Sequence, residues 1–327
     1  MKKFTILLLV LSGLLVAVFF LALTQGAADI PLITIKEAFY AFDPENQTHQ
    51  VLRNIRLPRI CASFIVGSSF AVTGAIMQGV TKNSLADSGL LGINSGAAVG
   101  LAVAFILFPS LQPNQAALFS FLGVFLATSF LFLLTKYSRI GMTPTGLILA
   151  GVALSSFFSA ISQVLSLQFD LNQDLAFWFI GGAANVTWTQ LQVITPIYLV
   201  ALFIILGLGK SLNLLAMGDE TAISLGKHPE RIRLVSLAVV VLLAGMAVSL
   251  VGPVSFIGLM VPHVIRGLIG KNYQMILPLT IVAGGILVIL ADWVGRIIQP
   301  PFETPFGIMM ALIGVPFLLV KIRREQL

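Results

Sequence analysis

MKKFTILLLVLSGLLVAVFFLAL, residues 1–23, sets two lysines ahead of an unbroken apolar run. A secretory leader has the same charge order, but its apolar core is only about 7–15 residues long. A bilayer's hydrocarbon, about 30 Å thick, takes roughly twenty residues of helix at 1.5 Å per residue. The stretch therefore reads as an uncleaved first membrane span with its lysines on the cytoplasmic side. The rest of the chain agrees. Of 327 residues, 57% are hydrophobic and 10% charged, and the mean hydropathy is +1.00. Soluble domains are about one quarter charged, so lipid must be the solvent for most of this surface. A net charge of +6 then reflects basic loops kept in the cytoplasm, not nucleic-acid binding. The single cysteine, Cys61, lies in an apolar run, can form no internal disulfide, and reads as a packing residue.

Further spans lie at about 60–80, 115–135, 145–166, 190–208, 234–251, 276–298 and 305–321. Two shorter ones, rich in Gly and Pro, lie at about 92–108 and 254–270. The expected fold is all-α, a polytopic membrane protein of about ten helices with both termini cytoplasmic. Charge tests the count. Of 19 Lys and Arg, only Lys36, Arg53, Arg56, Arg59 and Arg296 fall outside. Removing one short span would flip every later loop and spoil that asymmetry.

Small residues recur every fourth position at Gly67, Ala71, Ala75 and Gly79, and at Gly92, Gly96 and Gly100. Such faces let helix backbones approach closely in lipid. Ser155, Ser159, Ser162 and Ser166 form a polar stripe on the fifth span, beside Gln163. A stripe of that kind packs against another helix or lines a wet path.

Several suggestive motifs fail. GLGKS (207–211) resembles the end of a phosphate-binding loop, but Ile204 stands where its first Gly belongs, and no strand precedes it. The chain is therefore not expected to bind ATP itself. His263 has no nearby acidic or Cys partner, which makes it a weak metal ligand. Asp292 lies four residues before Arg296, on the same helix face, and can pair with it. A proton relay needs more intramembrane ionisable groups than this. No catalytic constellation, metal site or cofactor site is expected.

AMGDETAISLGKHPERIR (216–233) is the most polar stretch. Asp219 can cap a helix, with Glu220 in its first turn and Gly226 as a left-handed terminator. A two-turn helix is unstable alone in water, so it needs a surface, either its own protein's rim or a partner.

The same segment, LLAMGDETAISLG (214–226), resembles the coupling element of the FecCD-type permeases, membrane subunits of ABC importers for iron-siderophores, haem and cobalamin. The resemblance extends, in order, over RLPRICASFIVGSSFAVTGAIMQGVTKNSLADSGLLGINSGAAVG (56–100), LILAGVALSS (147–156), GPVSFIGLMVPHVIRGLIG (252–270) and LADWVGRIIQPPFETPFGIMMALIGVPFLL (290–319). Residues 25–52 carry no signature.

The resemblance implies one permease domain over 1–327 that breaks no bond and sits, multi-pass, in the cytoplasmic (inner) cell membrane. It implies pairing with a second copy or a sister subunit, two cytoplasmic ATPase subunits, and an extracellular or periplasmic substrate-binding protein. Gly218, Asp219, Ala222, Ile223, Leu225 and Gly226 would couple to the ATPase. Arg56, Arg59 and Arg296 would engage acids on the binding protein. Asn83, Ser84 and Leu85, with Met142, Thr143 and Pro144, would form a cytoplasmic gate; Ser84 departs from the Pro of many relatives. The serine stripe would line the central path. Pro253 and Pro262 bracket the short eighth span, which belongs inside the bundle. The cargo expected is a ferric siderophore, with cobalamin or haem as the alternative. A secondary transporter working without ATP is the weaker rival.

Overall fold

The computed structural model describes residues 2–26, 29–108, 110–137, 141, 143–300 and 302–325. Among them every regular element is helical, and no strand occurs. The first helix, α1 (Lys2–Thr24), follows directly from the opening run. Two short helices, α2 (Leu32–Tyr40) and α3 (Gln47–Gln50), lead through a π-helical turn at Val51–Arg56 into α4 (Leu57–Thr81). Pro58 accounts for the turn. It has no N–H to donate and its ring crowds the preceding carbonyls, so the helix widens just before it.

Next come α5 (Ile93–Leu107), α6 (Pro113–Tyr137), α7 (Pro144–Gln168), α8 (Asn172–Ile180) and α9 (Trp188–Gly207). The polar stretch holds α10 (Gly209–Met217) and α11 (Asp219–Ser224). The chain closes with α12 (Pro229–Val251), α13 (Ile257–Ile269), α14 (Tyr273–Ile297) and α15 (Phe306–Glu325). Each of the ten predicted spans falls on one helix. Seven of these helices are long and apolar enough to cross a membrane. The others are shorter apolar helices, Ile93–Leu107 and Ile257–Ile269, as the sequence suggested, together with the apolar stretch Phe306–Lys321 of α15, where the sequence placed the last span.

The two expected short helices start late for local reasons. A 3₁₀ turn at Ser88–Leu91 and Gly92, with φ +77°, precede α5. Gly92 is thus a turn residue, not the packing residue its spacing suggested. Ahead of α13, Pro253 interrupts the helical ladder and Phe256 takes φ +72°.

The core is built on α4, which is buried along nearly its whole length, with α12 and α14 beside it. The small-residue faces are what bring these backbones together. A Cβ on Gly67 would collide with the carbonyl of Gly284 in α14, and one on Gly74 with that of Gly258 in α13. Gly96 and Gly100 meet Gly123 and Phe119 of α6 in the same way. By contrast, α1, α6, α7 and α9 turn apolar faces outward, with Leu9, Leu126, Val164 and Phe203 exposed. Lipid is the solvent that suits such a surface.

Candidate functional site

Three features qualify as parts of a candidate site: a cavity between α5, α7 and α8, and a polar cluster at each end of α4.

The cavity has a volume of about 470 Å³, and Ser155, Ser159, Ser162 and Ser166 all line it. Their spacing of three to four residues puts them on one face of α7. Asn94 and Ser95 of α5, Gln163 and Asn172 complete the polar lining. Ser166 Oγ donates to Asn172 Oδ1 at 2.8 Å and Ser95 Oγ donates to the Gly92 carbonyl at 3.2 Å. The residues around this cavity offer hydroxyls and amides and include no ionisable side chain. Asn94, Ser95 and Asn172 were not legible in the stripe, because they reach the cavity from other elements.

At the N-terminal end of α4, the three predicted docking arginines do come together, but they are buried and bonded within the chain. Arg59 Nε donates to both oxygens of Asp292, at 2.8 and 3.0 Å, and its Nη1 donates to Glu303 Oε2 at 2.6 Å. Arg296 Nε stands 3.3 Å from Asp292 Oδ2, which realises the pair expected from their spacing. Arg56 Nη1 donates to the carbonyl of Leu23 at 2.6 Å, and Arg296 Nη2 to that of Ala22 at 3.1 Å. The last carbonyls of a helix lack intrahelical partners and carry its negative end, so two guanidiniums close the end of α1. A second cavity, about 280 Å³, opens onto Arg59, Asp292 and Glu303. No local pattern in the sequence singles out Glu303, which lies 244 residues from Arg59 in the chain.

At the other end of α4 lies the predicted coupling segment. Gly218, not Asp219, occupies the cap position of α11, and the Asp219 carboxylate is engaged elsewhere. It accepts two hydrogen bonds from Arg233 Nη2, both 2.7 Å, and one from Lys82 Nζ at 3.2 Å. Partial burial pushes its carboxyl up, but the bonds from Arg233 and Lys82 outweigh that and hold it below the usual carboxylate range. Asp219 thereby ties α11 to the first turns of α12 and to the residue that ends α4.

Gly226 terminates α11 as expected. Its φ is +71°, its N–H donates to the Ile223 carbonyl, and Lys227 N–H reaches back to the Ala222 carbonyl, each at 2.9 Å. The predicted contact residues divide. Ala222 is fully buried against its own protein and anchors the helix. Ile223 (62% exposed) and Leu225 (58%) face outward, joined by Met217 (69%), which the break at Gly218 hid from the sequence pattern.

Of the predicted gate residues, Asn83, Ser84 and Leu85 are exposed and directly follow Lys82, whose φ is +54°. Asn83 Oδ1 accepts from the Leu85 N–H at 2.9 Å, a local turn. Thr143 Oγ1 accepts from the Gly146 N–H and caps α7. Met142 lies outside the described residues. His263 packs edge-on against Phe317. GLGKS sits where α9 passes into α10, helix to helix.

Comparison with known proteins places these features in context. The FecCD transport family matches residues 14–324. The iron(3+)-hydroxamate import system permease protein FhuB of Bacillus subtilis is 41% identical over 307 residues, 94% of this chain and 80% of that one. The ferric enterobactin transport system permease protein FepD of Escherichia coli is 33% identical, over 93% of this chain and 91% of that one. Among solved structures, an inward-facing metal-chelate type ABC transporter superposes with a TM-score of 0.85 at 29% identity, covering 97% of this chain and 98% of that one.

Proposed function

The chain belongs to the FecCD transport family, and from that premise we propose that it is the pathway-forming permease subunit of an ABC importer whose cargo is a ferric siderophore. The family is one of transport permeases, so the chain binds and passes its cargo without breaking a bond. The observation that carries the cargo is the match to siderophore permeases over nearly the full length. A cavity lined by neutral hydroxyls and amides supports it. Such a surface offers many weak hydrogen bonds to a bulky oxygen-rich chelate and no charge to trap it, which suits passage more than tight binding.

In this reading all ten apolar helices span the membrane, with both termini in the cytoplasm. Two permeases pair, as identical copies or sisters, and the serine face of α7 lines the path between them. Two separate ATPases dock beneath. Met217, Ile223 and Leu225 supply the apolar contact, while Ala222 and Asp219 hold α11 to the bundle. Residues 83–85 and 142–143 close the cytoplasmic mouth. ATP binding moves α11, and the tie from Asp219 to Lys82 carries that motion to the start of the 83–85 loop. On the outer side, an acidic binding protein delivers cargo at the arginine cluster.

The test is uptake in a strain lacking this gene, with a complemented control and a panel of labelled ferric siderophores, ferric citrate, haem and cobalamin. Loss of one ferric siderophore alone is expected. Loss of only haem or cobalamin uptake would overturn the cargo. Normal uptake throughout, with no ATPase co-purifying in mild detergent, would overturn the importer reading.

A further inference from the structure

Arg59 holds two carboxylates of very different standing. Asp292 has a side chain only 2% exposed, sealed between Arg59 and Arg296. Glu303 has a side chain 38% exposed and reaches the same guanidinium from the link between α14 and α15. The 280 Å³ cavity is lined by Arg59 with both carboxylates, and Asn185 and residues 181–184 form further walls. Arg56 and Arg296 are committed to the carbonyls that end α1. Of the three arginines, Arg59 is the one that lines this cavity, and Glu303 is its partly exposed partner.

We propose that Glu303 is an internal occupant of an anion site on Arg59, and that an acidic side chain of the docking partner enters the cavity and displaces it. The proposal rests on the docking reading above and narrows it from three arginines to one. Exchange is physically economical. Arg59 keeps a carboxylate throughout, so no buried guanidinium is left unpaired. Glu303 is already more than a third in water, so its release returns a half-solvated charge to solvent. Electrostatic complementarity of this kind also selects the partner, because a neutral or basic surface has nothing to offer in return for Glu303.

The test uses the complete permease–ATPase complex in nanodiscs and its purified binding protein, with affinity measured at low and moderate salt. Glu303→Gln should tighten binding roughly fivefold, since a competing charge-assisted bond is removed. Glu45→Gln, the same charge change at another exposed acid, should not. In an Arg59→Lys background, which keeps a cation beside Asp292, the Glu303→Gln gain should vanish. If Arg59→Lys weakens docking but Glu303→Gln does not tighten it, docking stands and the exchange is wrong. An equal gain from Glu45→Gln, or one that survives Arg59→Lys, would show a general field effect and also overturn it. No response to either Arg59→Lys or Glu303→Gln would overturn docking at this cluster itself. Should Arg59→Lys fail to assemble, the comparison of the two glutamates still decides.

Discussion

Asp292→Asn isolates the charge at the centre of the arginine cluster. The carboxylate receives two bonds from Arg59 and faces Arg296 at 3.3 Å, with 1% of the residue exposed. Removing one partner from a buried ion pair costs about 3–5 kcal/mol, because the other charge is left uncompensated. Two observations reduce that figure here. Arg59 keeps Glu303 at 2.6 Å, and Arg296 keeps the Ala22 carbonyl at 3.1 Å. Asparagine also retains one acceptor oxygen in the same shape. A loss of about 2–3 kcal/mol is expected, against the full 3–5 for Asp292→Leu. At about 2.1 cal/mol/K of unfolding entropy per residue, a chain of 327 residues shifts by roughly 1.5 °C per kcal/mol, so the asparagine variant should unfold about 3–4 °C lower. The assay is heat-induced loss of monodisperse protein in detergent at a fixed scan rate, because membrane-protein unfolding is often irreversible. The decisive comparison is the double variant Arg59→Met/Asp292→Leu. Replacing a buried pair by apolar groups is often close to neutral, so the double should be at least 1 kcal/mol less destabilised than the two singles together. An Asp292→Asn melting point within 2 °C of the unaltered protein, or a strictly additive double, would refute the view that this cluster is a coupled buried network.

Two further outcomes concern the proposed coupling segment. Gly226 stands at φ +71° with open space around the position a Cβ would take, so only backbone strain, about 1–2 kcal/mol for a residue with a side chain, opposes alanine there. Gly226→Ala should lower ATP-driven uptake in vesicles roughly tenfold, Gly226→Asn less, and Gly226→Glu should leave ATP hydrolysis uncoupled from uptake; equal uptake by glycine and alanine would show that the left-handed cap is dispensable. Asp219 titrates lower in the folded protein than in an unfolded chain, whose carboxyl sits near 3.9. Its tie therefore contributes at every pH above that and is lost only as pH falls through the folded value. Hydrogen-exchange protection of residues 219–226, corrected for intrinsic rates, should stay constant from pH 8 to 5 and fall in Asp219→Asn; a decline in the unaltered protein between pH 7 and 5 would count against the tie.

Much of this was legible in the sequence because it depends on neighbours in the chain. Twenty apolar residues behind two lysines specify α1 whatever surrounds them. Asp292 and Arg296 are four residues apart and pair; the four serines share a face because a helix repeats every 3.6 residues. Gly226 ends α11 through bonds that span only a few residues. Position within the bundle is another matter. Spacing offered Gly92, Gly96 and Gly100 as one packing face, but Gly92 became a turn, and only the fold supplied Gly123 as the partner of the other two. Ala222 and Ile223 are adjacent apolar residues, and the placement of α11 against α10 and α12 decides that one is anchored inward while the other is presented. For the arginines only the tertiary structure decided that they are buried and which groups they meet. Arg59 meets Asp292 and Glu303 across 233 and 244 residues of chain, and no local pattern records a contact made by folding the two ends of the molecule together. Sequence set which residues could lie on one helix face; the close packing of helices, fixed by glycines on opposite sides of each contact, decided which faces met and which charges were taken out of water.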